Sequence, residues 1–130
     1  MINVLILEDE SYTREFIKKL VLEIPLVGDV YTATTANEVL DTIKDNSIDI
    51  VLLDIELDEN EEMNGLDIAK IIRSTNLSTK FIFITGYWRY SLEAFSVHPF
   101  DYIVKPINIK KFKKTMEELT DIILKEKNKS

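Results

Sequence analysis

Asp49-Ile50-Val51-Leu52-Leu53-Asp54 decides how this chain folds. Four consecutive apolar residues leave no polar face, so a strand built from them is buried on both sides. That is the condition of a parallel sheet with helices packed over each face. The run also closes on a carboxylate. Moving outward along the chain, the design repeats. Val4-Leu5-Ile6-Leu7 runs into Glu8 and Asp9, Phe81-Ile82-Phe83-Ile84 into Thr85 and Gly86, and Tyr102-Ile103-Val104 into Lys105 and Pro106. If these runs are neighbouring parallel strands, all of those ionic and hydroxyl groups emerge at one sheet edge, where open α/β sheets bind ligands.

The intervening segments carry helical periodicity. Strands are expected at Ile2–Leu7, Asp29–Ala33, Asp49–Leu53, Lys80–Ile84 and Asp101–Val104. A first helix, capped by Ser11, should bury Tyr12, Phe16, Ile17, Leu20, Val21 and Ile24 and stop at Pro25 and Gly28. A second starts at Thr35, with Glu38 completing a capping box, and buries Ala36, Val39, Leu40 and Ile43. A third starts near Asn64-Gly65 and buries Leu66, Ile68, Ala69, Ile71 and Ile72. A short helix is expected around Tyr90–Phe95. A last one from Asn108 carries Ile109, Phe112, Met116, Leu119, Ile122 and Ile123, and Lys125–Ser130 reads as a polar, frayed tail. Alternating strands and helices imply right-handed crossovers and a parallel sheet. The fold class is therefore α/β, a flavodoxin-like (βα)5 three-layer sandwich whose five-stranded sheet has the order 2-1-3-4-5. That order makes the four strands with ionic ends neighbours.

A length of 130 residues fits one domain. The balance of 16 basic against 23 acidic residues, a net charge of −7, argues against gripping nucleic acid unaided. The chain has no cysteine, hence neither disulfides nor thiolate metal sites. No apolar stretch approaches the roughly 20 residues that span a bilayer, so a cytoplasmic protein without membrane association is expected.

The chemistry follows from the set of groups. Glu8, Asp9 and Asp54 repel one another unless they share protons or a cation. Mg²⁺ takes one or two protein carboxylates together with waters and phosphate oxygens, with Mn²⁺ as a substitute, and the backbone carbonyl of Glu56 is a further candidate ligand. Asp54 is the candidate nucleophile, since carboxylates form acyl phosphates. Phosphoryl transfer then needs its equatorial oxygens neutralised: one by the cation, one by the Lys105 ammonium, one by the Thr85 hydroxyl and nearby backbone N–H groups. Gly86 leaves the approach open. Each residue alone is ordinary, and their convergence carries the signal. The sole histidine, His98, reads as structural or surface, Trp88 and Tyr90 as either a partner surface or local packing, and the acidic run Asp58–Glu62 as solvated because it lacks the order of a calcium loop. Lys110, Lys111, Lys113 and Lys114 read as a solvated face.

On Glu8-Asp9, Leu52-Leu53-Asp54-Ile55, Phe83-Ile84-Thr85-Gly86 and Tyr102-Ile103-Val104-Lys105-Pro106, the chain resembles the receiver domains of two-component response regulators over residues 1–124. The stretch from Ser91 to Ile107 resembles more particularly receivers of the LytTR (LytR/AlgR) type. The resemblance implies that a sensor histidine kinase phosphorylates Asp54 with Mg²⁺ held by the acidic pair, that Thr85 and the aromatic Tyr102 then move inward as a switch, and that Lys105-Pro106 is a cis peptide. A homodimer on phosphorylation is a candidate partner state that the sequence leaves open, and DNA contact is expected only through an effector domain absent from this chain. Residues 125–130 are then a polar tail or the start of a linker. The loop between Asp54 and Gly65 is longer and more acidic than is usual in the family. A stand-alone phosphorelay carrier and a Mg-dependent aspartate phosphatase are the competing readings.

Overall fold

A computed structural model describes residues 1–58 and 62–129. The unbroken run at the centre behaves as its composition requires. Val51 and Leu53 of β3 (Ile50–Leu53) enter one core, and Ile50 and Leu52 enter another on the opposite sheet face. The same division runs through β1 (Ile2–Leu7), where Leu5 and Leu7 oppose Val4 and Ile6. It recurs in β4 (Lys80–Thr85), where Phe81 and Phe83 oppose Ile82 and Ile84. With β2 (Val27–Ala33) and β5 (Asp101–Val104), these strands form one parallel sheet in the order β2-β1-β3-β4-β5.

Helices α1 (Ser11–Leu22) and α5 (Ile109–Asn128) cover one face with Ile17, Leu20, Val21, Phe112, Met116, Leu119 and Ile123. Helices α2 (Ala36–Asp45) and α3 (Gly65–Thr75) cover the other, with Ala36, Val39, Leu66, Ile68, Ala69 and Ile72. The expected short helix is three pieces: a 3₁₀ turn at Trp88–Tyr90, α4 (Ser91–Ala94) and a second 3₁₀ turn at Phe95–Val97. No helix among the described residues is long and apolar enough to cross a membrane.

Several local expectations are corrected. Tyr12 is 79% exposed because it lies five residues before Ile17, about 140° round a helix of 3.6 residues per turn. Ser11 does not cap α1. The cap is Glu10, whose carboxylate accepts from the backbone N–H groups of Tyr12 and Thr13 at 2.8 and 2.9 Å and from the Thr13 hydroxyl. Thr13 above all, through its hydroxyl and then its N–H, holds the Glu10 carboxyl below the usual range. Ile71, Ile109 and Ile122 lie outside the buried stripes; Ile71 and Ile122 each sit one residue from a buried isoleucine and so point away from it. Thr35 caps α2 as expected, but Glu38 reaches back to the N–H of Thr34, not that of Thr35. The capping box is found instead at α3, between Asn64 and Asp67. The segment from Lys125 is not frayed: α5 continues to Asn128, and its end is tied to the sheet by Lys127–Asp49 at 3.0 Å and Glu126–Lys80 at 3.3 Å. Most of the acidic run Asp58–Glu62, at 59–61, lies outside the described residues.

Candidate functional site

Strand register builds the site. Leu7 pairs with Leu53, so Glu8 and Asp54 leave adjacent strands side by side, and the N–H of Asp54 continues the ladder to the Leu7 carbonyl at 3.0 Å. Thr85 pairs with Val104, and the N–H of the next residue, Lys105, bonds the Thr85 carbonyl at 2.8 Å. Glu8, Asp9 and Asp54 each offer a carboxylate oxygen within 4.8 Å of the others. Lys105 reaches across the strand ends, with its Nζ 2.6 Å from Glu8 Oε1 and 2.9 Å from Asp54 Oδ2. Glu8 is 1% and Asp54 7% exposed.

Burial pushes the Glu8 carboxyl above its ordinary range. Its hydrogen bond with Lys105 opposes that shift, and the Asp54 charge adds to it. Burial would lower Lys105, but its hydrogen bonds to Asp54 and Glu8 outweigh it and leave the ammonium above its usual range. Of the three clustered carboxyl groups, Lys105 bonds two, those of Glu8 and Asp54. This oxygen-only donor set suits a hard divalent cation.

Thr85 is fully buried, and its Oγ1 is the one buried side-chain polar atom without a partner among the described residues. Leaving such a hydroxyl unsatisfied costs about 1–3 kcal/mol. A Cβ at Gly86 would meet nothing within 4 Å, so the space beside it is open. The Lys105-Pro106 peptide is cis. Tyr102 is half-buried, 5.9 Å from the Phe83 ring, and its hydroxyl donates to the Tyr87 carbonyl. Burial raises its phenol. The Glu56 backbone lies beside the site, its N–H 3.3 Å from Asp54 Oδ1. Its side chain turns elsewhere, to Arg89 and Tyr90, each at 2.6 Å.

Sequence reasoning missed Arg89, whose only signal was a lone basic residue amid Tyr87, Trp88 and Tyr90. It also missed why residue 65 is glycine: a Cβ there would stand 1.9 Å from the Asp54 carbonyl oxygen. The start of α3 is thereby packed directly against the backbone of Asp54.

A match to the response regulator receiver domain covers residues 4–117. The chain belongs to that family. This receiver domain is 32% identical over 121 residues to the sensory transduction protein LytT of Bacillus anthracis, covering 91% of this chain and 47% of LytT. It thus spans about half the length of such relatives. Among solved structures it resembles the response regulatory domain of protein mrkE from Klebsiella pneumoniae, with a TM-score of 0.85 and 26% identity over 93% of this chain and 97% of that one. It also resembles response regulator TrrA from Thermotoga maritima in complex with Mg²⁺-BeF, with a TM-score of 0.80 and 29% identity over 92% of this chain and 99% of the other. The family is one of signalling domains, and receivers of the LytT type are among its relatives here.

Proposed function

We propose that this receiver domain accepts a phosphoryl group on Asp54 from the phosphohistidine of a sensor histidine kinase, and that the modified domain switches transcription through a LytTR-type DNA-binding domain carried beyond residue 130. The observation that carries the first half is the convergence of Lys105 on Asp54 and Glu8, next to Asp9 and a buried Thr85 hydroxyl without a partner. The relationship to LytT, of which this chain matches about half, supports the second.

In the transfer, an Asp54 carboxylate oxygen attacks phosphorus, the P–N bond breaks as the P–O bond forms, and the leaving imidazole keeps the electron pair and takes up a proton. Glu8, Asp9 and Asp54, with the Glu56 carbonyl, would hold Mg²⁺ or Mn²⁺, which supplies charge neutralisation to the phosphoryl oxygens. Lys105 neutralises a second oxygen. It is already within bonding distance of Asp54, so it can pass from the carboxylate to the phosphoryl group with little movement. The Thr85 hydroxyl donates to a third once its loop shifts inward.

The phosphoryl group brings up to three strong acceptors to a place that held only a carboxylate. The inward shift of Thr85 vacates space for Tyr102. Tyr102 borders two cavities, one of about 520 Å³ shared with Val104, Lys111 and Thr115, and one of about 350 Å³ shared with Ser91, Phe95 and Phe100. Its displacement therefore reshapes the α4–β5–α5 face, the surface on which homodimerisation would follow. The switch is a population shift, limited by the phosphoryl group's differential contacts with the two packings.

Incubation with acetyl phosphate and Mg²⁺, followed by intact-mass measurement, tests this reading. One hydroxylamine-labile phosphate per chain is expected, and none when chelator is present from the start. A hydroxylamine-stable adduct, or one formed equally well in chelator, would overturn it.

A further inference from the structure

The loop that must carry Thr85 inward is fastened down. After Thr85 and the unobstructed Gly86, the chain places Tyr87, Arg89 and Tyr90 in one cluster. The Arg89 guanidinium lies 4.5 Å from the Tyr87 ring centroid and 4.9 Å from that of Tyr90, and the two rings meet edge to face at 6.4 Å. Arg89 Nη2 and the Tyr90 hydroxyl both donate to Glu56 Oε1 at 2.6 Å, and they stand 3.1 Å from each other. Glu56 belongs to the loop after β3, two residues past Asp54, and its own N–H is bonded to Asp54 Oδ1. The contacts thus run from the phosphoacceptor through Glu56 to the loop behind Thr85.

We infer that Glu56, Arg89 and Tyr90 form a latch that holds the β4–α4 loop, and with it the Thr85 hydroxyl, in the resting position, so that the strength of this latch sets how readily the site accepts a phosphoryl group. The inference rests on the function proposed above and deepens it. The Thr85 hydroxyl is buried without a partner at a cost, and something must keep the loop from moving to satisfy it. The latch supplies that restraint from one side. The bond from the Tyr102 hydroxyl to the Tyr87 carbonyl supplies it from the other. Phosphorylation loosens the latch at its root, because it adds negative charge two residues from the Glu56 carboxylate and alters the Asp54 oxygen that the Glu56 N–H now bonds. A state that binds ligand only after a restraint opens shows an apparent affinity reduced by its resting population. Weakening the restraint therefore raises affinity, and no new contact to the ligand is required. Arg89 and Tyr90 act as positioning residues in this scheme, through Glu56.

The test uses Glu56→Gln, Arg89→Ala and Tyr90→Phe, with Arg89→Lys as the conservative control. Two readouts are compared: amide exchange of residues 86–90 without any donor, and the midpoint of a beryllofluoride titration with Mg²⁺, followed through Trp88, the sole tryptophan. Each weakened latch should exchange faster at 86–90 and bind beryllofluoride about two- to five-fold more tightly, the range of a partly exposed ion pair. The Glu56→Gln/Arg89→Ala double variant should gain no more than the stronger single, and Arg89→Lys should return part of the way to wild type. A thermal melt on each variant separates the latch from general loosening, since only exchange confined to 86–90 counts in its favour. Unchanged exchange, unchanged or weaker binding, or additive effects of the two substitutions would overturn the latch. The two ideas fail differently: a wild type that titrates like Asp54→Asn removes the function proposed above, whereas a wild type that titrates normally with variants superposed on it removes the latch alone. The exchange measurement reads the latch in either case.

Discussion

Replacing Lys105 with methionine keeps the aliphatic stem and deletes the ammonium. Its Nζ makes two charge-assisted hydrogen bonds, at 2.6 Å to Glu8 and 2.9 Å to Asp54, and both acceptors are buried. Such bonds contribute about 1.5–3 kcal/mol each. The Lys105 side chain is 26% exposed, so water enters and part of that sum is screened; a loss of about 2–3 kcal/mol is expected at pH 7.5 without metal. For 130 residues the unfolding entropy is about 0.27 kcal/mol/K, which converts the loss to a Tm drop of roughly 7–11 °C. The sign with pH follows from Glu8. Its carboxyl is already raised by burial, so the folded state holds its proton more tightly than the unfolded chain, and stability falls as pH rises from 4.5 through the folded value. Without the ammonium that rise is larger, so the deficit of Lys105→Met should grow from pH 4.5 to 7.5 and shrink again on adding Mg²⁺. In the wild type the raised Lys105 contributes stability that is fully present below its ordinary value and lost only as pH climbs through the folded one. Thermal melts by circular dichroism at several pH values, with and without Mg²⁺, check this. A variant that melts with the wild type at pH 7.5, or a deficit that is independent of pH and metal, would refute the reasoning.

Thr85→Val removes a buried hydroxyl that bonds to nothing, so urea unfolding of the resting protein should show a change between zero and about 1 kcal/mol of added stability. The same variant should take up phosphate yet fail to shift Tyr102, as read by NMR of its ring; a destabilised variant would show that the hydroxyl has a resting partner. Gly65→Ala sets a Cβ 1.9 Å from the Asp54 carbonyl oxygen, so urea unfolding should show a loss at or above about 3 kcal/mol, and a loss under about 0.5 kcal/mol would deny the close packing of α3 on Asp54. Glu8→Gln removes one buried charge while Asp54 still engages Lys105. Its Tm, measured without metal, should gain on the wild type as pH rises above 4.5, while half-saturation by Mg²⁺ moves to higher concentration; parallel Tm curves would contradict the assignment to Glu8.

The sheet was legible because its signal is redundant. Each central strand is an apolar run that feeds both cores, so Ile50–Leu53 and Phe81–Ile84 announce a sheet covered on two sides whichever residue faces which way. Residues at strand ends inherit their positions from strand order, and that set Glu8, Asp9, Asp54 and Lys105 together, with the Thr85 carbonyl bonded to the Lys105 N–H. Helix details were less legible. Tyr12, Ile109 and Ile122 satisfy an apolar spacing but lie off the buried stripe, and periodicity alone does not say where a helix meets its sheet. The Glu10 cap escaped notice because glutamate usually serves three residues inside a helix and not at its start. Glu56 with Arg89 and Tyr90 joins loops more than 30 residues apart, and side-chain pairing at that range leaves no local pattern. The last turn of α5, up to Asn128, pairs with Asp49, just before β3, and with Lys80, the first residue of β4, and neither partner is near it in the sequence.

Asp54 is the residue proposed to take the phosphoryl group. Borohydride reduction of protein treated with acetyl phosphate and Mg²⁺ converts an acyl phosphate to the corresponding alcohol, so peptide sequencing by mass spectrometry then marks the acceptor directly. Homoserine at position 54 and nowhere else is the predicted outcome. Reduction at Glu8, Asp9 or Glu56 with position 54 left as aspartate would contradict it.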